Sequence, residues 1–168
     1  MKLCLPSIEF KDAFIVMMLD YQRNGEHRYQ IESIEMNNVF EKYVAGIKER
    51  AQGLNLKPGF VQESTFWLME NNTIYGASRL RHSLTERLFM EGGHIGYDIP
   101  PSHRRQGYGT LLLKLSLREA KAIGLERVLL TCDNDNIGSR KTILNNGGIL
   151  ENEIEYEGRW KCRYWINL

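Results

Sequence analysis

Residues 94–109 read His94-Ile95-Gly96-Tyr97-Asp98-Ile99-Pro100-Pro101-Ser102-His103-Arg104-Arg105-Gln106-Gly107-Tyr108-Gly109. Gly107 and Gly109 let a backbone bend tightly and approach a ligand. The helical pattern that follows from Tyr108 presents free N–H groups and the positive end of a dipole. Arg104 and Arg105 add formal positive charge. A strand, a proline stop, a glycine turn and a helix, in that order, suit the binding of a pyrophosphate. A second polar group stands downstream: Asn136-Ile137-Gly138-Ser139, then Asn145-Asn146-Gly147-Gly148.

The elements that must position these residues are legible in the pattern. Residues 2–5 form a brief strand ended by Pro6. Ser7 can cap a helix carrying Phe10, Phe14, Ile15, Met18 and Leu19, stopped at Asn24-Gly25. Met36, Val39, Phe40, Tyr43, Val44 and Ile47 follow the i, i+3, i+4 rule of a second helix, with Gly53 as its stop. Residues 64–70 and 73–82 flank Asn71-Asn72, a two-residue hairpin turn. Residues 94–99 form a third strand, closed by Pro100-Pro101 because proline donates nothing to a ladder. Residues 108–123 are a strong helix ended by Gly124. Residues 127–132 (RVLLTC) are a continuous apolar run, the pattern of a buried central strand. Asn136 caps a short helix ending at Gly147-Gly148. Residues 149–156 and 159–166 close the chain as an antiparallel pair around Glu157-Gly158.

This order predicts an α/β (α+β) fold in a single domain over residues 1–168. A mixed, twisted central sheet of about seven strands is flanked by helices. A crossover helix between the His94 and Arg127 runs implies one parallel step there. A chain of 168 residues, 42% hydrophobic and 26% charged, suits one core. Its net charge of +1 gives no general attraction to nucleic acid or to a membrane surface. Three cysteines, Cys4, Cys132 and Cys162, are neither a disulfide framework nor a zinc site. No apolar run approaches 18 residues, so a soluble, cytoplasmic protein is expected. Asp133, Asp135 and nearby asparagines lack the glycine and distal glutamate of a calcium loop, so no metal is expected.

The run Ile99-x-Pro101-x-x-Arg104-x-x-Gly107-x-Gly109 resembles the acetyl-CoA motif of the GCN5-related N-acetyltransferase (GNAT) superfamily. The Asn136 and Gly147-Gly148 segments resemble its second motif, and the element order is similar over almost the whole chain. The resemblance implies acetyl-coenzyme A as cosubstrate. The backbone of Tyr97, Asp98 and Ile99 would pair with the pantetheine arm. Arg104 and the amides of Arg105, Gln106, Gly107, Tyr108, Gly109 and Thr110 would hold the pyrophosphate. Asn136 would bond the pantetheine amide, with Ser139 close by. An amide near Asp98 or Ile99 would polarise the acetyl carbonyl.

In this family a base on the fourth strand often takes the amine's proton, and His94 stands at that place, where imidazole can do the same work. Many members carry a tyrosine acid in the following short helix. Here Ile143 occupies that position, so Ser139 or a water would protonate the thiolate, or the thiolate would leave unaided, with Tyr97, Tyr108, Tyr156 and Tyr164 as unranked candidates. Arg140 and Lys141 are candidates for the cofactor's 3′-phosphate or plain helix decoration. The alternating Glu151, Glu153, Glu155 and Glu157 read as a solvated edge, and Cys132 as an inert buried thiol.

The expected activity is acetyl transfer from acetyl-CoA to a primary amine by direct attack in a ternary complex; a non-catalytic acyl-CoA-binding regulatory module is the alternative. A generic nucleotide-binding α/β domain is disfavoured, since no N-terminal βαβ unit carries the glycine turn and no ribose-binding acid sits at the expected distance. The acceptor would be a small-molecule or peptide amine, met by residues 21–33, 53–63 and 152–164, with Tyr29, Phe60, Trp67 and Trp160 as the aromatics. Homodimers are common in the family.

Overall fold

Asn71 and Asn72 both adopt positive φ, at 48° and 59°, the geometry of the tight hairpin turn whose twist matches the flanking strands. They join β2 (Glu63–Glu70) to β3 (Thr73–Arg81), with Glu70 opposite Thr73. The computed structural model describes residues 1–26 and 39–168; Met36, Tyr29 and part of the first acceptor stretch lie outside them. β1 (Lys2–Cys4) and β4 (Ile95–Asp98) complete a four-stranded antiparallel sheet ordered β1-β2-β3-β4.

Glu157 and Gly158, also at positive φ, join β6 (Ile149–Tyr156) to β7 (Arg159–Asn167). β7 lies inside its sheet. It pairs on one side with β6 and on the other with β5 (Arg127–Asp133), giving the order β5-β7-β6. β5 is therefore an edge of its own sheet, although its Val128, Leu129 and Leu130 are fully buried.

The seven strands expected of one mixed sheet thus form two antiparallel halves, and the parallel step is a joint. At that joint the His94 backbone N–H donates to the Leu129 carbonyl over 2.7 Å, and the Leu129 N–H donates to His94 Nδ1 over 2.9 Å. Gly93 makes the approach possible: a Cβ there would lie 2.3 Å from the Leu129 oxygen. Beyond it β4 pairs with β3 alone, because an imidazole fills the place of the next rung.

Helices cover both faces. α1 (Lys11–Arg23) and α2 (Val39–Ala51) bury Phe14, Met18, Phe40 and Val44 against Trp67 and Met69, with the Phe14 ring stacked on Trp67 at 5.2 Å. Ser7 makes no side-chain cap; a 3-10 turn over Ile8–Phe10 leads into α1 instead. α4 (Tyr108–Ala122) and α5 (Ile137–Leu144) lie on the opposite face. Leu113, Ala120 and Ile143 pack there with residues of both half-sheets, among them Leu80, Ile95, Leu130 and Tyr164. That shared core holds the halves together where no ladder does. A short helix, α3 (Glu86–Met90), was not legible in the hydrophobic pattern; Thr85 caps it, accepting from the Leu88 N–H over 3.2 Å.

Candidate active site

Because β4 has no partner beyond the joint, a cleft of about 570 Å³ opens between it and α5. Tyr97, Asp98 and Ile99 line one wall, Asn136, Ser139 and Thr142 the other, and the turn from Arg104 to Thr110 the floor. The sequence-predicted cofactor residues are thus brought together, save for Gln106 and Tyr108, which sit in the same turn.

The turn earns its shape from Arg105 at φ 62° and Gly107 at φ 85°. Left-handed backbone at these two positions turns successive N–H groups toward one side, and the first amides of α4 continue the row. Gly109 is helical. Its lack of a side chain serves packing, since a Cβ would lie 3.3 Å from Thr142 Oγ1. Pro100 and Pro101 deliver the chain into the turn through a 3-10 segment, Pro101–His103.

Arg104 differs from expectation. Its two terminal nitrogens grip both Glu26 oxygens at 2.7 and 2.8 Å, and its Nε donates to the Ile99 carbonyl over 2.9 Å. It braces the turn rather than presenting a free charge. Gln106 likewise bonds back to the Ser102 carbonyl. Besides the paired Arg104, the exposed cations on the cleft are Arg105 and Lys141. Arg140 points away, bonded to Tyr164 Oη and the Asn134 carbonyl.

On the α5 wall Asn136 Oδ1 accepts from the Ser139 N–H over 3.0 Å, capping the helix, so its Nδ2 is the atom that can donate to a ligand. Ser139 Oγ lies 2.9 Å from Tyr97 Oη. Burial, more than any neighbour, pushes the Tyr97 phenol up to about 12, against the opposing bond from Ser139. Cys132 is pushed up to about 11 by burial and by Cys162, its partner across β5 and β7, and stays a thiol at neutral pH. Ile143 is fully buried and offers no proton.

His94 also stands apart from the cleft. It precedes β4, is 8% exposed, does not line the cleft, and has Nδ1 committed to Leu129. Burial, then the nearby Arg81 charge, holds its imidazole down at about 4. A base so weak, with one nitrogen engaged, is poorly matched to an amine's proton. The structure makes it a joint between the half-sheets.

Sequence reasoning missed a polar cluster behind β4. The Asp98 side chain is buried, with Arg79 Nη2 at 2.5 Å and Tyr21 Oη at 2.6 Å from its oxygens. It ties β3, β4 and α1 together. Only the alternation of side chains along β4, with Tyr97 toward α5 and Asp98 toward α1, could have signalled it. The described residues contain no cluster of side chains suited to a metal, and no described helix is long and apolar enough to cross a membrane.

Known proteins share this fold. The chain is similar to a ribosomal-protein-S5-alanine acetyltransferase from Vibrio fischeri, at 13% identity and a TM-score of 0.73, over 98% of this chain and 91% of that one. It is also similar to Mycobacterium smegmatis RimJ in complex with CoA-disulfide (16%, TM-score 0.72, 98% and 80%). A third is yncA of Salmonella typhimurium, a putative acetyltransferase with its cofactor acetyl-CoA (12%, TM-score 0.66, 99% and 93%). At these identities the likeness concerns the fold. No curated protein matches the chain. The model of the acetyltransferase (GNAT) family matches residues 38–145, which include β4, the glycine turn and the Asn136 cap, and with that match the chain belongs to the acetyltransferase (GNAT) family.

Proposed function

We propose that the protein transfers an acetyl group from acetyl-coenzyme A to a primary amine, by direct attack in a ternary complex. One observation carries the reading: the unladdered edge of β4 runs into a left-handed turn and a helix start, with Asn136 and Ser139 on the facing wall. An extended amide-bearing arm can add to such an edge as a strand does. Its pyrophosphate would meet the amides of residues 105–110, with Arg105 and Lys141 at the rim. Asn136 Nδ2 would donate to the arm.

In the transfer a C–N bond forms as the thioester C–S bond breaks. The amine's proton passes to solvent water, and the departing thiolate takes one up. Ser139 would give that proton, and its hydrogen bond to the Tyr97 phenol, 2.9 Å away, supports the reading. An acyl-enzyme route is disfavoured, because Cys132 is held as a thiol and the hydroxyl partner of Ser139 is a phenol, not a base.

The test is a matrix of initial rates of thiol release at varied acetyl-CoA and amine. Intersecting lines are expected. Parallel lines would sink direct attack. Tight acetyl-CoA binding with no turnover on any amine would favour a non-catalytic binding module.

A further inference from the structure

On the face of the first sheet opposite α4, a pocket of about 190 Å³ lies between α2, residues 59–63 and α3. Arg50, Arg81 and Arg87 line it, with Glu63 as its one carboxylate and Phe60 and Val61 as apolar wall. Glu63 is already taken, 3.3 Å from Arg81 Nε. Arg81 Nη1 is held by the Gly92 and Gly93 carbonyls at 3.0 Å each. Arg50 and Arg87 have no ion-pair partner among the described residues.

Three guanidinium groups around one spoken-for carboxylate repel one another, and the repulsion falls when an anion enters. The Arg81 charge feels this. Burial lowers its proton affinity, Glu63 supports it, and Arg79 and Arg87 depress it further. The chain as a whole carries only +1, so the concentration is local.

Its place matters too. The Arg81 N–H donates to the His94 carbonyl over 2.7 Å, so the pocket abuts the joint from which the cleft opens. Along β4, His94 and the cleft-lining Tyr97 are about 10 Å apart at the rise of a strand. Phe60, 62% exposed, gives an apolar spacer a surface to lie on.

We propose that this pocket anchors the acceptor, and that the acceptor class is an amine bearing a carboxylate or phosphate at its far end, separated from the nitrogen by an apolar spacer. The inference rests on the transferase reading given above. The anion seats between Arg50 and Arg87, the spacer passes Phe60, and the amine reaches the opening beside β4.

The experiment compares matched acceptors in thiol release: glycine, 4-aminobutanoate and 6-aminohexanoate against alkylamines of equal length, and 6-aminohexyl phosphate as the second anion. The longest anionic acceptors should exceed their neutral partners in kcat/KM by about tenfold or more, the size of a charge-assisted hydrogen bond. Preference for the carboxylate over the phosphate, or the reverse, decides between the two. Arg87→Gln and Arg50→Gln should erase the ratio through KM, and Arg87→Glu should invert it; unchanged melting temperatures establish that the variants fold. Equal use of charged and neutral partners by the wild type, or a ratio indifferent to both arginines, overturns the proposal. If no amine is turned over, the transferase reading fails by itself. The pocket is then judged by calorimetric titration of 6-aminohexanoate into coenzyme A-saturated protein: binding weakened by Arg87→Gln sustains it, and binding no tighter than hexylamine's overturns it.

Discussion

Gly107 sits at φ 85° with nothing within 4 Å of where a Cβ would be, so its requirement is conformational, not spatial. Gly107→Ala should cost about 1 kcal/mol in stability and raise KM for acetyl-CoA, as the amide row is tilted; urea titration and initial rates check the two parts. His94 makes a different prediction. It stays neutral in the fold down to about 4, whereas in the unfolded chain it takes a proton near 6.5. Stability from this group is fully present above pH 6.5 and is lost as pH falls toward about 4, by up to about 3 kcal/mol. His94→Gln, which keeps an acceptor for Leu129, should flatten that part of the stability profile. Any rising limb of kcat/KM above pH 6 should survive the substitution, because it belongs to another group.

At the scale of elements, α5 does two jobs through one residue. Asn136 Oδ1 caps the helix while Nδ2 is left to meet the arm. Asn136→Ala should lose both, with about 1 kcal/mol of stability and a raised KM for acetyl-CoA. Asn136→Asp keeps the cap and loses the donor, so KM should rise while the melting temperature holds. If the two variants behave alike in both measurements, the division of labour is wrong. α5 is also fixed from the side: Asn146 Nδ2 donates to the Thr110 and Thr142 carbonyls, which locks α5 to the start of α4 and sets the width of the cleft.

The whole molecule depends on two antiparallel half-sheets touching at one joint. Gly93→Ala would drive a methyl into the Leu129 carbonyl, and a buried backbone cannot yield as a side chain does. We expect a loss above about 2 kcal/mol, with acetyl-CoA binding lost in parallel, since the joint fixes where the cleft begins; a melting temperature near wild type would show that the halves are held by the α4 core alone. Local signals along the chain set out the elements around the cleft and most of the residues that line it, but not Glu26, His103 or Thr142. Hydrophobic period, Asn-Asn and Glu-Gly turns, paired prolines and the Arg-x-x-Gly-x-Gly run are local signals, and local chemistry dictates local backbone. Tertiary structure decided what side chains do at a distance. Arg104 was committed to Glu26, 78 residues away, and His94 to Leu129, 35 residues away. The arginine pocket was assembled from α2, the 59–63 segment, β3 and α3. Charge and proton affinity follow from what lies within a few ångströms, and no spacing along the chain states that.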